Sequence, residues 1–124
     1  MPEAPALVSV VDDDLSVRES LPDLLRTFGF ASRAVSSAEE FLRSGMVDET
    51  DCLILDVAMP SMSGPALRKE LLNRGKAIPI VFITGHGGES LRPRLVEAGV
   101  IDCLLKPFSE AALLRAVTAA LDRH

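Results

Sequence analysis

The sequence predicts an α/β fold, with a five-stranded parallel sheet doubly wound by five helices. Two observations predict it. Short runs of β-branched and aliphatic residues alternate five times with longer amphipathic stretches. Those short runs are continuously apolar, as expected of parallel strands covered by helices on both faces. Right-handed crossovers then favour a doubly wound sheet, while periodicity leaves the strand order open.

The elements follow in order. Leu7 to Val11 is dense in β-branched residues and reads as a buried strand. Leu15 to Phe28 reads as a helix, with Val17, Leu21, Leu24, Leu25 and Phe28 at helical spacing. Asp14 is its expected N-cap and Gly29 its stop. Pro22 removes a backbone bond at a cost of about 3 kcal/mol and predicts a kink. Ala31 to Val35 is a shorter, weaker strand. Ser37 to Glu40 has the S-x-x-E form of a capping box, opening a helix through Phe41 and Leu42 to Gly45. Cys52 to Leu55 is the third strand. Pro65 suits the first turn of a helix that carries Leu67, Leu71 and Leu72 and ends at Gly75. Pro79 to Thr84 is the strongest strand signal. Glu89 to Ala98 is a poorer helix, broken by Pro93, and Val100 to Leu105 is the fifth strand. Ser109 caps a last helix with Leu113, Leu114, Val117 and Leu121 on one face.

Composition narrows the function. The 124 residues fit one domain, 1–124, with its core over residues 7–122. A net charge of −5, with no Trp or Tyr, argues against a nucleic-acid surface in this chain. No apolar run is long enough to span a bilayer. Met1 to Ala6 lacks the features of a secretion signal, so a cytoplasmic location is expected. Cys52 and Cys103 sit inside apolar runs without CxxC spacing and read as buried reduced thiols.

Ligands of an open parallel sheet bind beyond the carboxyl ends of its strands. The first strand ends in Asp12, Asp13 and Asp14, the third in Asp56, the fourth in Thr84 and Gly85, and the fifth in Lys106 and Pro107. Converging carboxylates repel one another and call for a hard cation such as Mg²⁺. Asp56, flanked by Leu55 and Val57, is the best-placed nucleophile. A cation and Lys106 would neutralise an incoming phosphoryl group, and Thr84 would donate a hydrogen bond to it. Taken singly, an Asp after a strand is usually a turn or cap residue, and Asp14 is assigned that role. A lone Lys106 would be a solvated surface lysine. The joint pattern at four strand ends has no such ordinary explanation.

These residues resemble the receiver domains of response regulators, with the CheY-like fold. The landmarks are VVDDD at Val10 to Asp14, LILDVAMP at Leu53 to Pro60, MSG at Met62 to Gly64, FITGHG at Phe82 to Gly87 and KPF at Lys106 to Phe108. The wording is most similar to FixJ-type regulators. The resemblance implies strand order 2-1-3-4-5 and phosphorylation of Asp56. Asp13, Asp56 and the backbone carbonyl of Ala58 would bind Mg²⁺ (or Mn²⁺), with Asp12 acting mainly through water. Thr84 would be the switch hydroxyl, Lys106 would contact the phosphoryl group, and the Lys106–Pro107 peptide would be cis. The donor would be a sensor histidine kinase or a histidine phosphotransfer protein. The face formed by the fourth helix, fifth strand and fifth helix would then recognise a downstream protein.

Three positions depart from the family or stand out within it. Cys103 occupies a switch position where relatives usually carry an aromatic ring, so signal must reach the output face by other shifts. Ala58 replaces a longer polar side chain common in relatives and leaves the phosphoryl group more open to water. His86, two residues after Thr84, is a candidate for tuning phosphoryl lifetime.

An aspartate-nucleophile phosphohydrolase would need a second carboxylate where Ala58 stands. Nucleotide binding lacks both GxxxxGK[ST] and GxGxxG patterns. The expected protein is thus a self-phosphorylating acceptor with autodephosphorylation rather than a turnover enzyme. It would be a monomer or a phosphorylation-dependent homodimer. The chain ends at His124 without a helix-turn-helix, which suits a single-domain regulator or phosphorelay intermediate. The alternative is the isolated N-terminal receiver of a FixJ-type transcription factor.

Overall fold

The structure, a computed structural model, describes residues 4–85 and 102–122. Five strands are present: β1 (Leu7–Val11), β2 (Ala31–Val35), β3 (Cys52–Asp56), β4 (Ile80–Thr84) and β5 (Asp102–Leu105). They pair in parallel in the order β2-β1-β3-β4-β5. Four helices are described: α1 (Leu15–Thr27), α2 (Ala38–Arg43), α3 (Gly64–Asn73) and α4 (Glu110–Leu121). The helix expected over Glu89 to Ala98 lies outside the described residues, as do Val100 and Ile101.

Side chains on a strand point alternately to opposite faces, and both faces here are covered. Leu53, Leu55 and Phe82 join one core, which includes Phe41 of α2 and Leu67 and Leu71 of α3. Cys52, Ile54, Val81 and Ile83 join the other, with Leu21 and Leu25 of α1 and Leu113 and Val117 of α4. This explains the unbroken apolar runs of β3 and β4, all of whose residues are buried. Each fully buried Leu or Phe contributes about 1.5–3 kcal/mol over an exposed one.

The starts of α1, α2 and α4 are set by caps read from the sequence, whereas Ser63, before Pro65, was not among them. Asp14, Ser37, Ser63 and Ser109 each cap a helix by accepting a backbone N–H two or three residues on. The α2 capping box closes one residue early. Ser37 accepts from the Glu40 N–H, but Glu40 Oε1 accepts from the Ser36 N–H (2.8 Å) and the Ser36 hydroxyl (2.9 Å). Helix α1 runs through Pro22 without interruption, and its proline ring is buried. Gly29 and Gly75, at φ 97° and 77°, follow α1 and α3 in the left-handed region that glycine tolerates. Both cysteines are buried thiols, and burial, with Asp51 nearby, pushes Cys52 up to about 12. No helix among the described residues is long and apolar enough to cross a membrane.

Candidate functional site

The carboxyl ends of β1, β3, β4 and β5 gather Asp12, Asp13, Asp56, Thr84 and Lys106. Strand β3 lies between β1 and β4, with Asp56 in register with Ile83. One carboxylate oxygen from each of Asp12, Asp13 and Asp56 lies within 4.8 Å of the others. Asp12 and Asp56 are buried at 0% and 5% exposure, whereas Asp13 is exposed. Thr84, at the end of β4, is buried, and its carbonyl accepts from the Lys106 N–H at 2.7 Å. The Lys106–Pro107 peptide is cis.

Electrostatics follow from this packing. Burial is the largest cause that raises Asp56, and the Asp12 charge adds to it, while Lys106 and the Ala58 N–H pull the other way. The outcome is a carboxyl pushed up to about 7, holding its proton far above the usual range. For Lys106, burial favours the neutral amine, but Asp12, Asp56 and Asp14 outweigh it and hold the ammonium above the ordinary lysine value. Lys106 Nζ stands 2.9 Å from Asp12 Oδ2. This fully buried oxygen has that charged neighbour but no hydrogen bond. One ammonium against three carboxyl groups leaves net negative charge in a partly buried pocket. A small divalent cation with oxygen ligands fits that donor set, answering both the orphaned oxygen and the raised Asp56.

The comparisons with known proteins agree with this geometry. The family model for the response regulator receiver domain matches residues 8–118. The chain belongs to that family. It is 47% identical over 118 residues to Nodulation protein W of Bradyrhizobium diazoefficiens, covering 95% of this chain and 52% of that protein. It is 43% identical over 123 residues to Transcriptional regulatory protein FixJ of Azorhizobium caulinodans, covering 99% of this chain and 58% of the relative. The receiver structure FixJ-N superposes with a TM-score of 0.85 at 33% identity, covering 100% of this chain and 98% of that one. The response regulator StyR gives 0.86 at 45% identity, covering 96% of this chain and 60% of that one. The chain thus spans little more than half the length of the curated relatives it matches.

As a receiver domain of two-component signalling, the protein is a phosphoacceptor whose acidic pocket is Asp12, Asp13 and Asp56. Thr84 and Lys106 stand at the adjoining strand ends. Cys103 is buried on β5 beside Phe82 of β4, in the core that also holds residues of α2 and α3. The Ala58 side chain is exposed next to the acceptor strand. His86 lies outside the described residues.

Two further residues shape the site in ways the motif reading did not assign. Gly64 opens α3 and donates its N–H to the Val57 carbonyl at 2.9 Å. A Cβ there would collide with the Asp56 carbonyl oxygen and reach Phe82 Cε1 at 2.8 Å. The MSG landmark marked this position without its reason. Arg18 donates from Nη1 to the Asp12 carbonyl at 3.0 Å. Its only trace in the sequence is a charge one helical turn after the acidic run. Between β3 and α3, Ser61 takes φ 69°, a left-handed conformation costing a side-chain-bearing residue about 1–2 kcal/mol.

Proposed function

We propose that this domain takes a phosphoryl group onto Asp56 from a phosphohistidine of a sensor histidine kinase or phosphotransfer protein, with Mg²⁺ or Mn²⁺ bound. The observation that carries this reading is the meeting of three carboxylates around a buried Asp56 pushed up to about 7. Asp13, Asp56 and the Ala58 carbonyl hold the cation, and Asp12 acts mainly through water. When bound, the cation supplies positive charge that favours ionised Asp56 and offsets the phosphoryl oxygens. Ionised Asp56 forms the new O–P bond as the N–P bond of the donor breaks and the imidazole keeps the electron pair. Thr84 donates a hydrogen bond to one phosphoryl oxygen, and Lys106 pairs with another. Water later attacks the phosphoryl group, past the small side chain of Ala58, and His86 tunes its lifetime.

Output passes through the face built on β5 and α4 to a downstream protein, without an aromatic ring at Cys103. The working form is a cytoplasmic monomer that pairs on phosphorylation. One observation favours a second reading over a single-domain regulator or phosphorelay intermediate: the matched relatives are nearly twice as long. In that reading this is the receiver of a FixJ-type transcription factor, and phosphorylation drives its dimerisation and promoter binding.

Intact mass after incubation with acetyl phosphate and Mg²⁺ tests the chemistry, beside a chelated control and Asp56→Asn. One added phosphoryl group is expected, lost in both controls. Addition that survives in Asp56→Asn would place the acceptor elsewhere. No addition from either acetyl phosphate or a phosphohistidine donor would make the domain a binding module. If His86 tunes lifetime, His86→Ala changes the pH dependence of dephosphorylation; an identical profile removes that role.

A further inference from the structure

Three of the four polar atoms of Asp12 make hydrogen bonds, and the fourth, Oδ2, has only a charged neighbour. Its N–H donates to the Val35 carbonyl at 3.2 Å. Its Oδ1 accepts from the Asp14 N–H at 2.9 Å, and its Oδ2 faces Lys106 Nζ at 2.9 Å. The remaining atom, the carbonyl oxygen, accepts from Arg18 Nη1 at 3.0 Å. That carbonyl and the N–H of Asp13 belong to one planar peptide unit. Fixing the oxygen therefore fixes the plane from which the Asp13 side chain departs. Asp13 is the exposed member of the three carboxylates, so burial does not hold it in place.

Arg18 is well built for this task. It lies in the first turn of α1, and its own N–H donates to the Asp14 carbonyl at 3.1 Å. Backbone and guanidinium thus tie the Asp12–Asp14 loop at both ends. The guanidinium also lies near α2. Glu40 there is held below the usual carboxylate range, chiefly by Ser36 and in smaller part by Arg18.

We infer that Arg18 is a positioning residue for the divalent cation, acting through the Asp12–Asp13 peptide without touching the metal or the phosphoryl group. The inference rests on the proposed cation site at Asp13 and Asp56. Charge and positioning here have opposite signs. A cation behind the pocket, by charge alone, repels a metal ion, so its removal would tighten binding. A lost anchor for Asp13 weakens binding instead.

The test is Mn²⁺ affinity, read by electron paramagnetic resonance of the free ion, for wild type, Arg18→Met and Arg18→Lys. It is run where circular dichroism shows each protein folded. Methionine keeps the apolar stem and removes the donor; lysine keeps a charged donor. Arg18→Met is expected to weaken Mn²⁺ binding about tenfold, the size of one charge-assisted hydrogen bond. Arg18→Lys should recover part of the loss, and it carries the comparison should Arg18→Met not fold. Unchanged or tighter binding in the folded variants overturns the inference and leaves Arg18 a structural residue. Asp13→Asn binding as tightly as wild type overturns the route through Asp13. A wild type that binds no Mn²⁺ sinks the cation site itself, and the inference with it.

Discussion

At Asp56 two demands oppose each other. Phosphoryl transfer needs the ionised carboxylate, whereas burial and the Asp12 charge push the carboxyl up to about 7. A cation that needs the ionised form must displace a proton at neutral pH. Mn²⁺ affinity should therefore fall as pH drops through about 7. Titrations at pH 6 and pH 8 check this, and equal affinities would contradict the raised value. The same shift has a stability consequence in metal-free protein. The folded state holds the Asp56 proton up to about 7, the unfolded chain only to the ordinary 3.8. Between those values the folded state binds more protons, so this group costs stability as pH rises, and the full penalty is present above about 7. Asp56→Asn should raise Tm by several degrees at pH 8 with chelator and by little at pH 4. A lower Tm in the variant at pH 8 would show that Lys106 already compensates the charge.

At the scale of elements, helix starts serve two different ends. The Ser37 cap of α2 is local, and Ser37→Ala should cost about 1 kcal/mol in chemical denaturation without altering phosphorylation. Its pattern was legible because cap and partner lie three residues apart. The shift of Glu40 to Ser36 was not legible, since side-chain reach chose between adjacent donors. The start of α3 is tertiary. Gly64 lies against the Asp56–Val57 backbone and Phe82, contacts that depend on β3, β4 and α3 being assembled. Gly64→Ala should cost about 1–3 kcal/mol by overpacking and also slow phosphorylation, because the backbone carrying Asp56 must shift. Loss of stability with an unchanged acetyl phosphate reaction would show that the loop moves without disturbing the acceptor.

For the molecule as a whole, the question is how the site reaches the output face. Strand β5 joins them, running in register with β4 from Val81–Asp102 to Thr84–Leu105. Cys103 is fully buried on this strand and has no large ring to reorient. A phosphoryl mimic such as beryllofluoride should shift the amide resonances of α4 less in wild type than in Cys103→Tyr. Equal or larger shifts in wild type would show that this position does not limit switching. Sedimentation with and without the mimic tests the proposed pairing, and an unchanged monomer would favour output through a different protein.

The sequence by itself determined the five strands, the described helices and the meeting of Asp12, Asp13, Asp56, Thr84 and Lys106 at strand ends. Those properties are carried by short-range signals: apolar runs, caps and the residue that follows each strand. Motif resemblance added the strand order, which local periodicity left open because pairing joins distant segments. Only the tertiary structure decided which side chains hold the site residues in place. The clearance of Gly64 from Phe82 and the facing of Asp12 and Lys106 arise between distant elements. Such contacts depend on distances of a few ångströms across the assembled fold, which no spacing along the chain encodes.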